Sequence, residues 1–323
     1  MPPIVSVVIA SDRVEGSLAE CLRSLERQGP STSFEVLVAS ASPWRSGVST
    51  PFPFEWVPAE SRNPAFRRNV AARRSRGAVL AFLDDDAEAE AGWLEAGARA
   101  VESADIAGGP DLGPAGAPYL ERISDLLLAT PIIGSGIPAH ERRARGGPVG
   151  SPHDVALCNL FVRREAFDAL GGFDESLGYV GEDTEFVRRA LDGGFRVLFD
   201  PSVRVRHRRR PFPAGYVAQR WRYRVKTGRL LVERPGLHAR GRIAAFLSAG
   251  FAATAGIALF GLPFLLPAAL AYAAATCALS FPIWKDDPSL LPAVPFAFAV
   301  HHATYFAGLI AGIARGLFTV AVR

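Results

Sequence analysis

Three consecutive carboxylates, Asp84, Asp85 and Asp86, follow directly on the apolar run Ala78–Leu83. Side chains alternate along an extended backbone, so Asp84 and Asp86 fall on one side, where both can approach a single divalent cation or a diphosphate bound to it. Without a cation such a cluster repels itself. A second acidic pair, Glu182-Asp183, follows Gly181 and opens a helical pattern through Phe186, Val187 and Leu191. Carboxylates in a first helical turn are ordinary partners of the helix dipole, and one aimed into a cleft can also serve as a general base. His207 ends the alternating run Val203-Arg-Val-Arg-His207, where it is either a structural histidine or a ligand turned inward. Cys21, Cys158 and Cys277 are far apart and form no CxxC or Cys-His cluster. They argue against a disulfide scaffold or a zinc site and read as buried free thiols in a reducing compartment.

These residues need elements to hold them, and the first two thirds of the chain supplies alternating strands and helices. Val5–Ala10 and Phe34–Ala39 are short β-rich runs, and Leu18, Cys21, Leu22 and Leu25 recur at helical spacing between them. Pro64 opens a basic helix through Arg76 that Gly77 stops, and Ala78–Leu83 is the next buried strand. Such an order implies a mainly parallel sheet whose ligands bind beyond the carboxyl ends of its strands. Pro110–Pro152 is rich in Gly, Pro and Arg and reads as a long binding loop or lid with one short helix, about Tyr119 to Ala129.

The 323 residues suffice for about two domains, and 21% charged with 49% hydrophobic residues excludes wholesale disorder. The net charge of +4 is mild but unevenly placed. From Ile243 to Trp284 there is no Asp, Glu, Lys or Arg. As one helix that run would measure about 63 Å, against a hydrocarbon core of about 30 Å, so two helices folded around Gly261-Leu262-Pro263 fit it. A second uncharged run, Pro288–Ala314, is long enough for another span or a re-entrant helix. Met1-Pro2-Pro3 leads straight into a strand too short for a signal-peptide core, so none is expected. Arg234, Arg240 and Arg242 before the first apolar run favour a cytoplasmic amino-terminal part at the cell (inner) membrane. The arginine-rich segment Arg204–Arg229 carries Trp221 and Tyr223 among its charges. It reads as a helix lying on anionic membrane lipids, not as a nucleic-acid interface, since no nucleic-acid module accompanies it.

In this order the residues resemble a family 2 glycosyltransferase of the GT-A fold. The resemblance rests on Val5–Ile9, Arg68-Asn69, Phe82-Leu-Asp-Asp-Asp86 with Trp93-Leu94, Asn159, Arg163-Arg164, Gly171-Gly-Phe-Asp-Glu175, Gly181-Glu-Asp183 and Asp200-Pro201 before His207. It spans about residues 4 to 210 and implies an α/β fold with a Rossmann-like mixed, mainly parallel sheet. The domains expected are 1–212 catalytic, 213–241 a basic interfacial helix or linker, and 242–323 a membrane domain with two or three hydrophobic helices. The resemblance implies a nucleotide-diphosphate sugar as donor and a lipid-linked or surface-glycan acceptor. It assigns Asp84, Asp86 and His207 to a Mg²⁺ or Mn²⁺ ion, and Asp183 to the general base with Glu182 beside it. Ala10, Ser11, Asp12, Ser40, Arg68, Asn69, Asp84 and Asp85 are expected at the nucleotide sugar, and Asn159, Arg220 and Trp221 on the acceptor side.

Gln219-Arg220-Trp221 is similar to the QxxRW element of processive relatives, but with the wrong spacing, which disfavours a processive polymerase. The family's usual Asp after its second strand is replaced by Ala39-Ser-Ala-Ser42, leaving Ser40, Ser42 or Asp12 to take over, or a base other than uracil. Two close alternatives to the main reading are a polyprenyl-phosphate sugar synthase and a nucleotide-sugar-binding scaffold without turnover. A transporter or flippase component is disfavoured, because the apolar runs hold no charged residue.

Overall fold

The computed structural model describes residues 4–11, 16–29, 31–43, 49–130, 133–134, 140, 145–234 and 261–321. Asp12, Arg240, Arg242 and residues 243–260 of the Ile243–Trp284 run lie outside the described residues.

The first elements are β1 (Val5–Ala10), α1 (Ser17–Glu26), β2 (Phe34–Ser40), β3 (Phe54–Pro58), α2 (Pro64–Arg74), β4 (Val79–Asp84), β5 (Ala87–Ala89) and α3 (Trp93–Ser103). They continue with β6 (Ile106–Gly108), β7 (Asp111–Leu112), α4 (Tyr119–Ala129), β8 (Gly147–Pro148), β9 (Asn159–Arg163) and α5 (Arg164–Ala169). After these come α6 (Glu182–Asp192), β10 (Val197–Phe199), β11 (Val205–His207) and α7 (Ala214–Glu233). The helix at 119–129 falls where the sequence puts it. β3 is half-exposed and lacks an alternating pattern, which is why its sequence is silent.

The chain folds as two compact units, and the division is not the linear one the sequence suggests. One unit comprises Met1–Ala115 with Ile137–Arg208, the other Gly116–Gly136 with Arg209–Arg323. The segment carrying α4 therefore belongs with the carboxyl-terminal residues.

In the first unit an eight-stranded sheet runs β3-β2-β1-β4-β9-β6-β10-β8. β1 lies between β2 and β4, parallel to both, with Ala10 opposite Ala39 on one side and Asp84 on the other. β9 is antiparallel to β4 and β6, so the sheet is mixed but mostly parallel. Val5, Val7, Val8 and Ile9 are all fully buried, as a central strand covered on both faces requires. Pro64 at the first turn and Asn63, whose side chain accepts from the Ala65 N–H at 3.0 Å, start α2. A Cβ at Gly77 would fall 2.6 Å from the Ser6 nitrogen, so the chain passes β1 there only because residue 77 has no side chain. A second sheet, β5-β11-β7, pairs His207 with Ala87 in antiparallel register.

In the second unit Ile123, Leu126, Leu127 and Leu128 of α4 form a core with Phe212 and Tyr216, and with Ile283, Leu290, Val294 and Phe298. A helix, Leu262–Leu279, begins after Gly261, and a long one, Val294–Ala321, packs on α7. Close approach is essential to that packing: a Cβ at Gly312 would lie 2.2 Å from the Val225 carbonyl oxygen. Pro288–Val320 is long and apolar enough to cross a membrane, with 39% of its most apolar window buried inside the fold. Cys277 is half-buried, unlike the fully enclosed Cys21 and Cys158.

Candidate active site

The site lies at the carboxyl ends of β1 and β4. β4 is buried until it emerges at Asp84, and the tight turn into β5 presents Asp85 and Asp86. Ala10 and Ser11 continue β1 beside them, and the Ser11 hydroxyl donates to Asp85 at 2.6 Å. Ser40, at the end of β2, is buried and its hydroxyl accepts from the Ser42 N–H at 3.1 Å, so it shapes its own turn.

His207 is brought to Asp86 by the second sheet. Its Nε2 lies 3.0 Å from Asp86 and its Nδ1 3.2 Å from Asp111. Asp111 is the functional residue that sequence reasoning missed. It is almost fully buried, and its carboxylate also receives the Cys158 thiol at 3.3 Å and a short contact from His140 Nδ1. A Cβ at Gly109 would fall 2.0 Å from the Val203 carbonyl oxygen, so the close passage of Gly109 delivers Asp111 to β11. Gly109-Pro110 precede it and its strand has only two residues, so no local pattern marks it.

Burial opposes a charged His207 ring, but the hydrogen bonds to Asp111 and Asp86 outweigh it and raise its pKa well above the ordinary value. Burial, reinforced by Asp111, pushes the Cys158 thiol up to about 12, so at neutral pH the sulfur is uncharged and the two carboxylates hold the ring's proton.

Arg68 and Asn69 both make hydrogen bonds within the fold. Arg68 is buried and bridges two acidic groups, donating to Asp84 at 2.7 Å and to Glu182 at 3.2 Å. Asn69 bonds the Phe173 backbone and Glu175, tying α2 to the loop before α6. Asn159, expected on the acceptor side, lies deeper. It is completely buried, accepts from the Trp93 indole at 2.8 Å and donates to the carbonyls of Pro110 and Val203, so it braces the fold.

Gly181 takes a left-handed φ of 97° and starts α6, presenting Glu182 and Asp183 in its first turn. Asp183 is half-buried and accepts from the Thr184 N–H at 2.7 Å. Glu182 is buried. Desolvation and then the Asp183 charge push its pKa up to about 7, against the pull of Arg68. Arg220 and Trp221 stand on α7 in the second unit, Arg220 buried and Trp221 exposed.

Asp84, Asp86 and His207 each offer a ligand atom within 4.8 Å of the others. Two carboxylates and an imidazole suit an oxygen-preferring divalent ion such as Mg²⁺ or Mn²⁺, so the residues fit the ion that the family resemblance implies.

The family model for the glycosyl transferase family group 2 matches residues 79–311, from β4 through most of the long terminal helix. The chain belongs to this family. It is a glycosyltransferase. It is 32% identical over 270 residues to the succinoglycan biosynthesis protein ExoM of Rhizobium meliloti, covering 75% of this chain and 81% of that one. To the glycosyltransferase AglE of Haloferax volcanii it is 26% identical, over 77% and 81% of the two chains. The fold is similar to that of the mannosyltransferase PcManGT of Pyrobaculum calidifontis, solved with GDP-mannose and Mn²⁺. That match has a TM-score of 0.52 at 22% identity and covers 99% of this chain and 88% of the other. The fold class of this glycosyltransferase is thus the mixed, mainly parallel α/β architecture of GT-A enzymes.

Proposed function

We propose that this glycosyltransferase moves a sugar from a nucleoside-diphosphate donor to a lipid-linked or surface-glycan acceptor at the cell membrane, inverting the anomeric carbon. The observation that carries the reading is the convergence of Asp84, Asp86 and His207 at the sheet's carboxyl end, with Arg68 linking Asp84 to the Glu182-Asp183 turn. Support for the donor class is the resemblance to a fold solved with GDP-mannose and Mn²⁺. Support for a surface-glycan acceptor is the relative named for succinoglycan biosynthesis. The apolar stretch Pro288–Val320, and Arg234 before the other apolar run, support membrane attachment with the catalytic unit in the cytoplasm.

Asp84, Asp86 and His207 would hold Mg²⁺ or Mn²⁺, and the chemistry the bound ion supplies is charge neutralisation at the departing diphosphate. Asp183 accepts the proton of the acceptor hydroxyl as its oxygen bonds to the anomeric carbon and the bond to the diphosphate breaks. With one base and one leaving group on opposite faces, a single displacement inverts that carbon. Glu182, buried and tied to Arg68, positions this turn and is not the base.

The test is transfer by the full-length protein, with the anomeric configuration of the product read by NMR. Asp183→Asn is expected to keep donor affinity and to lose transfer to a hydroxyl by about 10²- to 10⁴-fold. Retention of configuration, or an active Asp183→Asn, would remove Asp183 from this role.

A further inference from the structure

Helix α7 buries positive charge that the fold does not neutralise. Arg220 is 9% exposed, and its only hydrogen bond among the described residues is a long one of 3.4 Å to the neighbouring Gln219. Arg224, one turn on, makes no hydrogen bond to any described residue. The buried Nε atoms of both are unpartnered. No carboxylate among the described residues pairs with either. What surrounds them is aromatic: the Arg220 guanidinium lies 5.6 Å from the Tyr216 ring and 5.0 Å from the Tyr223 ring, and that of Arg224 only 3.8 Å from the Tyr305 ring. The site has a built back wall. Tyr216 bonds His301 at 2.7 Å, and a Cβ at Gly308 would fall 2.9 Å from the Arg224 Cβ, so the long terminal helix admits Arg224 by having glycine there.

Cation–π contacts offset part of the cost of burying a guanidinium, about 0.5–2 kcal/mol each, but leave its N–H donors unsatisfied. Two like charges one helical turn apart are also mutually destabilising. An arrangement of this kind gains most from a multiply charged anion with several acceptor oxygens, and the planar guanidinium fork matches phosphate. The same unit offers an apolar surface. Phe296, Leu317 and Phe318 of the terminal helix are 64%, 57% and 72% exposed, on a stretch long and apolar enough to cross a bilayer. A ligand with an anionic head and a hydrocarbon tail satisfies both features.

We propose that Arg220 and Arg224, backed by Tyr216, Tyr223 and Tyr305, form a binding site for the phosphate or diphosphate of a lipid-linked acceptor. The proposal rests on the lipid-linked form of the acceptor reading above. It gives that acceptor a chemistry, a glycan carried on a polyprenyl phosphate or diphosphate, in which the anchoring phosphate is not the group that reacts.

The experiment measures binding of the full-length protein to phosphatidylcholine nanodiscs doped with a polyprenyl diphosphate. Comparison discs carry phosphatidylglycerol, and inorganic pyrophosphate and a nucleoside diphosphate serve as free competitors. Arg220→Gln and Arg224→Gln are each expected to weaken binding to the doped discs by about ten- to a hundredfold. Arg→Lys retains part of the affinity. Nucleoside-diphosphate affinity with Mn²⁺ stays at the wild-type level. Without lipid the Gln variants melt no lower than the wild type, because a costly buried charge has been removed, whereas arginines with a purely structural role would lower the melting temperature. Undiminished binding by the double variant overturns the site while leaving a lipid acceptor standing. Equal binding to phosphatidylglycerol, or full displacement by the free nucleoside diphosphate, overturns it in favour of a general headgroup contact or a donor contact. A wild-type protein that ignores polyprenyl diphosphate yet glycosylates a soluble glycan overturns the lipid-acceptor reading and the site together.

Discussion

Asp111 fixes which nitrogen of His207 faces the acidic cluster. Its carboxylate engages Nδ1, leaving Nε2 towards Asp86. Such outer carboxylates orient a ligating imidazole and raise its basicity. Asp111→Ala is therefore expected to weaken Mn²⁺ binding by about 10- to 100-fold, read by a calorimetric or spin-resonance titration of the purified protein. An unchanged Mn²⁺ affinity would reduce Asp111 to a packing residue. Glu182 yields a prediction of a different kind. Its folded pKa of about 7 lies above the ordinary 4.5, so between these values the folded chain keeps a proton that the unfolded chain has released. Stability contributed through this group therefore falls as pH rises from about 4.5 through 7. Thermal melts across that range are expected to decline less steeply for Glu182→Gln than for the wild type, and parallel slopes would contradict the shift. At this scale the grouping of Asp84, Asp86 and His207 was legible, because carboxylates after a buried run and a histidine ending an alternating strand are local patterns. The bracing bonds of Asn69 and Asn159 were not legible, because nothing local in sequence distinguishes an amide that meets a ligand from one that braces backbone carbonyls. Asp111 required the pairing of β7 with β11, a contact across about a hundred residues of chain.

Among the elements, α3 shows how tightly the sheet is covered near the site. A Cβ at Gly97 would sit 2.2 Å from the Phe161 ring, and Trp93 of the same helix packs edge-on to Phe161 while bonding Asn159. Gly97→Ala is expected to destabilise the fold by about 1–3 kcal/mol through overpacking, measured by denaturant unfolding, and a neutral effect would mean that α3 shifts freely. The order β1-α1-β2-α2-β4 was legible because these strands are apolar on both faces, α1 repeats apolar residues at helical spacing and Pro64 opens α2. The two-residue strands Asp111–Leu112 and Gly147–Pro148 were hidden in a segment whose Gly and Pro content reads as loop, since so short a strand has no periodicity to display. The terminal helix was visible as an uncharged run, but its packing with α7 depends on Gly228, Gly308 and Gly312, whose role appears only once both helices are in place.

At the scale of the whole molecule, the chain leaves the catalytic unit at Gly116, returns at Ile137 and leaves finally at Arg209. The sequence suggested a catalytic part followed by a membrane part. It did not show that α4, which lies between two strands of the catalytic sheet, shares a core with the terminal helices, because hydrophobic patterning marks which face is buried and not what buries it. The central claim is that sugar transfer by this glycosyltransferase depends on a divalent ion held by Asp84, Asp86 and His207. The most direct test is donor turnover by the full-length protein across a panel of nucleotide sugars, with Mn²⁺ or with EDTA, for the wild type and for Asp86→Ala. The account predicts turnover with Mn²⁺, loss in EDTA that added Mn²⁺ restores, and a fall of about 10²-fold or more in Asp86→Ala that Mn²⁺ at wild-type concentrations does not restore. Full turnover in EDTA, or an Asp86→Ala protein as active as the wild type, would contradict it.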